Sequence, residues 1–214
     1  MRLAIVHDWL VHPGGAEDVL RVLLATFPGA DVFSLIDFMA PAEKAQLGLR
    51  HVTTSPLQHV PGAREHYRKL LPLMPWAVEQ LDVRGYDVVL SVSHAVAKGV
   101  RTHPGQLHAC LCLSPMRYAW DLRAQYLAES GLDHGLKGWL ANTLLDRMQR
   151  WDAANSKRVH AWASISLYIA DRVRRAYGVE SAIVYPPVDT AFFTPPRMCA
   201  GRSTTVSISG YFQK

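Results

Sequence analysis

Three short stretches bring together residue types that can do chemistry. The first is Gly14-Gly15, at the end of the loop from Asp8 to Gly15, between the apolar run Leu3–His7 and a helical pattern that starts at Ala16. Backbone N–H groups at a helix start are unpaired and partly positive, and two residues without a Cβ let a phosphate or a sugar approach them closely. A tight turn that needs positive φ would use the same residues, so the pair alone leaves both readings open. The second stretch is SHAVAKGV, with His94 following the run Tyr86–Ser93 and with Ser93 and Lys98 beside it. A polar cluster at the carboxyl end of a buried parallel strand is where open α/β sheets place ligands, and an imidazole there can orient a hydroxyl or exchange a proton. A structural histidine fits the same position. The third is the block from Ser114 to Asp121, in which Ser114, Arg117, Tyr118 and Asp121 crowd one turn. Arg117 offers a fork that fits phosphate, or an ion pair with Asp121 that fixes the turn.

Other chemistries find less support. Cys110 and Cys112 lie two apart in an apolar run, on one face of a strand, with no further Cys/His spacing, so they read as packing and no metal site is expected. The G-x-G-x-x-G pattern of a dinucleotide site is missing. The net charge of +5 suits an anionic substrate or an anionic surface, but no basic tail or arginine run points to nucleic acid. No apolar run approaches the ~18 residues of a membrane span. Three cysteines among 214 residues suit a reducing compartment, and a cytoplasmic protein is expected.

The elements that must position these residues read as follows. Leu3–His7 is a buried parallel strand, and Val19, Leu20, Val22, Leu23, Leu24 and Phe27 give the next segment a broad apolar helix face, stopped by Pro28 and Gly29. Strands are expected over 31–36, 49–53, 86–93, 107–113, 159–166 and 181–185. Helices are expected over 41–47, 135–154 and 167–177, the last with Ser166 as cap and Gly178 as stop. Pro72 and Pro75 must break the stretch from 61 to 81. Tyr67, Leu70, Leu71, Leu73, Met74 and Trp76 there read as a core-packed helix pair with Arg64, Arg68 and Lys69 on a solvated edge; the alternative is a surface for a lipid-linked acceptor at an anionic membrane. Residues 188–203 lack periodicity and read as a linker, and TTVSIS at 204–209 as a new strand. The fold class is α/β: a Rossmann-like, doubly wound, mostly parallel sheet flanked by helices.

Taken together, HDWL…GGAE, SHAVAKGV, PMRYAWD and YPPVDTAFF, in that order, resemble the amino-terminal half of a family 4 glycosyltransferase, with bacterial mannosyltransferase-type enzymes of polysaccharide assembly as the nearest relatives. The resemblance covers residues 1–209. It implies one half of a GT-B fold, in which the amino-terminal domain (1–187) receives the acceptor, a linker follows (188–203), and 204–214 begin a donor-binding domain that is cut short. It implies a retaining, metal-independent transfer of a hexose, with mannose from GDP-mannose as the family-weighted donor, to a lipid-linked or polysaccharide acceptor, and contact with the inner membrane face. It assigns Gly14 and Gly15 to the donor phosphate and sugar, His94 to the transferred sugar as the catalytic residue, and Ser93, Lys98, Arg117, Tyr118 and Asp121 to the cleft. No separate cofactor is implied.

The chain departs from the family pattern in three places. Leu113 stands where a histidine is usual, Ser164–Ser166 read SIS where relatives read close to ANS, and the sequence ends at Lys214, before the family's Lys/Arg pair and E-x7-E motif. A chain of this kind is expected to transfer sugar very poorly alone, and its exposed cleft face to favour a missing carboxyl-terminal half or self-association. A non-catalytic binding module, or the remnant of a broken gene, is the competing expectation.

Overall fold

The computed structural model describes residues 1–132 and 134–188. Strand β1 (Leu3–His7) is buried along its whole length. Leu3 and Ile5 pack on one side of the sheet and Ala4 and Val6 on the other, which is why the run is apolar throughout instead of alternating. Around it lie β2 (Asp31–Ser34), β3 (Val52–Thr54), β4 (Val88–Ser93), β5 (Leu107–Cys112), β6 (Ala161–Ser164) and β7 (Ala182–Ile183). All pairings are parallel and the order is β3-β2-β1-β4-β5-β6-β7. The chain winds outward from β1 to β3, then returns to the other side of β1. That reversal, between β1 and β4, is the topological switch point of a doubly wound sheet, where the loops leaving two adjacent strands part and open a crevice.

Helices cover both faces. Val19 and Leu20 of α1 (Gly15–Thr26) and Leu47 of α2 (Pro41–Leu47) join Leu3, Ile5 and Val32 in one core. On the opposite face, α4 (Met74–Val78) and α6 (Gly135–Ser156) supply Met74, Ala77, Val78, Leu145 and Met148 to a core with Ala4, Val6 and Val89. The short α3 (Ala63–His66) and a 3-10 stretch (Tyr67–Leu73) lead into α4, and α5 (Arg123–Glu129) into α6. Helix α7 (Leu167–Tyr177) packs Ile169 and Val173 on Cys110, Cys112 and Trp162.

The element boundaries agree with expectation where local chemistry sets them. Pro41 opens α2 and Gly48, at φ 75°, closes it. Ser166 Oγ accepts from Ile169 N–H at the start of α7, and Gly178, at φ 69°, ends it. Strands are shorter than their apolar runs: β3 is 52–54 where 49–53 was expected, and β7 only 182–183. Leu49 is a buried residue after the α2 cap, so its hydrophobicity marks core packing and not strand pairing. Pro72 lies inside the 3-10 stretch and Pro75 in the first turn of α4, which splits 61–81 into short pieces. Apart from Val188, the expected linker and the second-domain start lie outside the described residues.

One glycine fixes how α6 meets the sheet. Gly99, in the 3-10 turn Ala97–Gly99, lies against the Trp151 ring of α6, in space that a Cβ would share with the ring. Trp151 cannot easily yield, because its Nε1–H donates to Glu79 Oε1 at 2.8 Å. Gly99→Ala is therefore expected to lower stability by about 2–3 kcal/mol, the cost of overpacking a filled site. The urea midpoint measures this; a shift worth under 0.5 kcal/mol would mean that α6 is free to slide.

Candidate functional site

The crevice is organised by Asp8, the residue that follows β1. Its side chain is fully buried. Oδ2 accepts the backbone N–H of His94 (2.6 Å) and Ala95 (2.9 Å), and Oδ1 those of Val96 (2.6 Å) and Ala97 (2.7 Å). One carboxylate thus holds the whole turn leaving β4. Burial alone would push its carboxyl pKa up; the nearby His94 charge and the main-chain donors outweigh that and hold it below the ordinary carboxylate value.

His94 sits on this turn with 18 % of its side chain exposed. Its Nδ1 lies 3.1 Å from Asp8 Oδ2, off the line that a hydrogen bond requires. The ring stands edge-on to Trp9, with centroids 4.5 Å apart, and His7 approaches at 6.3 Å. Trp9 in turn lies 5.8 Å from Tyr67. Burial lowers the His94 pKa, against the pull of Asp8, and the charges of Arg117 and Lys98 push it the same way. The imidazole is therefore neutral at pH 7. A carboxylate only accepts, so electrostatics favours the tautomer with the proton on Nδ1, which leaves Nε2 as an acceptor. His7 is fully buried, its Nδ1 3.1 Å from the Trp9 carbonyl, and burial takes its pKa down to about 4.

The structure brings Gly14 and Gly15 to the same end of the sheet, at the start of α1. Neither takes a positive φ, and Gly14 is extended at φ −167°. The turn therefore has no backbone need for glycine. A Cβ on Gly15 would meet nothing within 4 Å, so the space over it is open. Glu17, three residues after Gly14, folds back so that its Oε2 lies 3.1 Å from where a Gly14 Cβ would be. A carboxyl thus already leans over the positive end of α1, and burial raises its pKa.

The other expected site residues divide. Arg117 is exposed, its charge acts on His94, and among the described residues its side chain has no hydrogen bond or ion pair. Tyr118 is half-buried with its hydroxyl buried and unpaired. Asp121 does not pair with Arg117. It pairs with Arg172 of α7, whose Nη1 also donates to Ser114 Oγ at 3.1 Å, so that carboxylate ties α7 to the loop after β5. Ser93 and Lys98 are not on the cleft wall either, since both are fully buried. Lys98 Nζ lies 2.5 Å from Asp152 Oδ1 and donates to the Ala95 carbonyl at 2.9 Å, and Ser93 Oγ faces Lys98 N–H at 3.4 Å. Asp152 also accepts from Trp120 Nε1–H (2.8 Å) and the Tyr177 hydroxyl (2.7 Å). Lys98 is thus the counterion that lets α6, α7 and the β4 turn meet around a buried carboxylate.

Sequence reasoning missed Asp8, Trp9 and Tyr67 as members of the site. The signal for Asp8 was present: an acidic residue directly after a wholly apolar strand must find donors nearby, and the open N–H groups of the neighbouring β4 turn are the closest. An open pocket of about 500 Å³ adjoins the centre, lined by Val11, His12 and residues 64–69. A larger hollow of about 600 Å³ lies at the opposite, amino-terminal ends of β2 and β3, far from His94. Among the described residues, no group of three or more His, Cys, Asp or Glu is placed to hold a metal ion, and no helix is long and apolar enough to cross a membrane.

By sequence, no family model and no curated protein matches the chain. By fold, it is similar to the crystal structure of Anabaena Alr3699/HepE in complex with UDP, with a TM-score of 0.51 at 13% sequence identity. The match covers 92% of this chain and 47% of that one, so this chain spans about half the length of that structure. Both the strand order and this likeness show a Rossmann-like doubly wound α/β fold.

Proposed function

We propose that this chain is the acceptor-binding part of a retaining glycosyltransferase of GT-B type, with His94 at the sugar that is transferred. The observation that carries the reading is the placement of His94 at the switch point of the sheet, on a turn whose N–H groups Asp8 holds and with its ring edge-on to Trp9; burial there favours the uncharged ring. Glycosyl transfer builds oxocarbenium character on the sugar and negative charge on the leaving diphosphate. A neutral Nε2 acceptor can orient a sugar hydroxyl there without adding positive charge beside the developing cation. That Arg117 is exposed, has no ion pair among the described residues and acts electrostatically on His94 supports its meeting an anionic leaving group. The open backbone at Gly15 allows a phosphate or sugar to approach α1, where Glu17 must move aside or give up its charge. The UDP in the similar Anabaena structure supports a nucleotide-sugar donor. In this reading most contacts to the nucleotide come from a second domain, and residues 1–214 alone turn over donor very poorly. A hexose is the unit transferred, mannose from GDP-mannose by the family resemblance, and the acceptor is a lipid-linked or polysaccharide glycan met at a membrane face.

The test is isothermal titration of the chain with UDP, GDP, GDP-mannose and a short polyprenyl-diphosphate glycan, beside His94→Ala. The glycan is expected to bind and to weaken about tenfold in His94→Ala, the value of one oriented hydrogen bond, with far-UV circular dichroism unchanged. A glycan that fails to bind, or binds equally to both proteins, counts against the reading.

A further inference from the structure

The pocket beside Trp9 carries an unusual charge balance. Its lining includes Arg64, Arg68 and Lys69 against a single carboxylate, Glu65, with His12 and His66 alongside. Arginines elsewhere on the surface are mostly neutralised: Arg84 by Asp82, Arg101 by Glu79, Arg123 by Asp146, and Arg174 and Arg175 by Asp171. Arg64 and Lys69 have no such partner among the described residues. Arg68 has only the Tyr67 hydroxyl, 3.3 Å from its Nε, with its guanidinium 5.7 Å from the Tyr67 ring centre.

The pocket also lies beside the site, with Tyr67 between them. Val11 and His12 belong to the loop after β1 that carries Asp8 and Trp9, and Tyr67 is the shared wall, in contact with Trp9 on one side and Arg68 on the other. Moving outward from His94, a ligand would meet an indole, then a phenol, then three cations. Aromatic faces suit the apolar faces of sugar rings, and guanidinium groups suit phosphate oxygens in the fork geometry. Three unneutralised cations around one concavity repel each other until an anion enters, so the site is poised for a group of two or more negative charges.

We propose that the pocket formed by Arg64, Arg68 and Lys69 binds a phosphate or diphosphate group carried by the acceptor, while Trp9 and Tyr67 stack against the sugar between that group and His94. This deepens the glycosyltransferase reading and rests on it: it makes the acceptor an anionic, phosphate-bearing glycan and excludes a neutral polysaccharide end as the preferred substrate.

The experiment compares one short glycan in two forms, as the free sugar and as its water-soluble short-chain prenyl diphosphate, on the wild-type chain, on the triple variant Arg64→Ala/Arg68→Ala/Lys69→Ala and on the single variant Lys69→Glu. The wild type is expected to bind the diphosphate form about 30-fold more tightly than the free sugar, a gap of the size that three partly solvated ion pairs give. In the triple variant the gap should close while free-sugar affinity stays unchanged, and Lys69→Glu should close part of it. The gap should also shrink with added salt. A third arm uses vesicles with anionic headgroups and no acceptor. Loss of vesicle binding in the triple variant, with the soluble diphosphate gap intact, would assign the cations to the lipid surface and overturn the proposal. Equal binding of both glycan forms by wild type overturns it while leaving the glycosyltransferase reading standing; failure to bind either form overturns both.

Discussion

Asp8→Asn is expected to destabilise the chain by on the order of 3–5 kcal/mol, the cost of breaking a buried charged hydrogen-bond set, out of the ~5–15 kcal/mol that holds a typical domain together. The change is nearly isosteric, so the loss is electrical. A carboxylate presents acceptors to all four N–H groups of residues 94–97. A carboxamide presents one oxygen and one NH2, and the NH2 must face two donors at a depth that water does not reach. Either those two N–H groups go unpaired or the turn leaves its position, taking His94 with it. Urea unfolding at pH 7 reads the stability, and a glycan titration at low urea reads the site. Both should fall. A variant that loses less than 1 kcal/mol would show that the main chain of the turn is held by β4 and β5 alone, and that Asp8 is incidental.

Acidification should weaken the fold well before the carboxylates titrate. His7 and His108 are both fully buried, and burial takes each to a pKa of about 4 from an ordinary 6.5. His108 Nε2 lies 3.0 Å from Ser91 Oγ, and the His7 and His108 rings each keep one buried nitrogen without a partner. The unfolded chain binds these protons first as pH drops. Stability is therefore complete above about pH 6.5 and falls down to about pH 4, by roughly 3 kcal/mol for each histidine. His94 contributes in the same direction. The Asp8 carboxyl, held low, gives up its share only at still lower pH, as pH falls through its folded value. Between pH 7 and 4.5 the pair should remove about 5 kcal/mol, seen as a falling urea midpoint. His108→Gln, which keeps a polar partner for Ser91, should flatten the profile by about half. A midpoint independent of pH over this range would show that these rings reach solvent.

The sequence was most informative where a single residue type decides the backbone. Pro41 and Gly48 bound α2, and Ser166 and Gly178 bound α7, because a fixed φ, a left-handed cap and a hydroxyl cap act within four residues. The parallel sheet was legible from runs that are apolar on both faces, as in β1. The candidate site was legible only as a placement, His94 directly after β4 and Arg117 in the loop after β5. It was not legible in its partners, since those are chosen by topology. Nothing near Lys98 in the chain announces Asp152, and nothing near Asp121 announces Arg172. Lys98 therefore read as a cleft residue when it is a buried counterion, and the Arg117–Asp121 pairing suggested by proximity lost to one that spans 51 residues.

The bonds of Asp8 also bear on the order in which the chain can assemble. They join residues 86 to 89 positions apart, so a large loop must close before any of them forms. Until β4 docks beside β1, Asp8 must stay in water, because a desolvated carboxylate without donors is costly. A chain that paired β1 with β5 first, or slipped β4 by one residue, would carry that charge into the core unmatched. The carboxylate that sets the angle of His94 therefore also penalises wrong strand orders, and on a ribosome the amino-terminal strand cannot be finally buried until about a hundred residues have emerged.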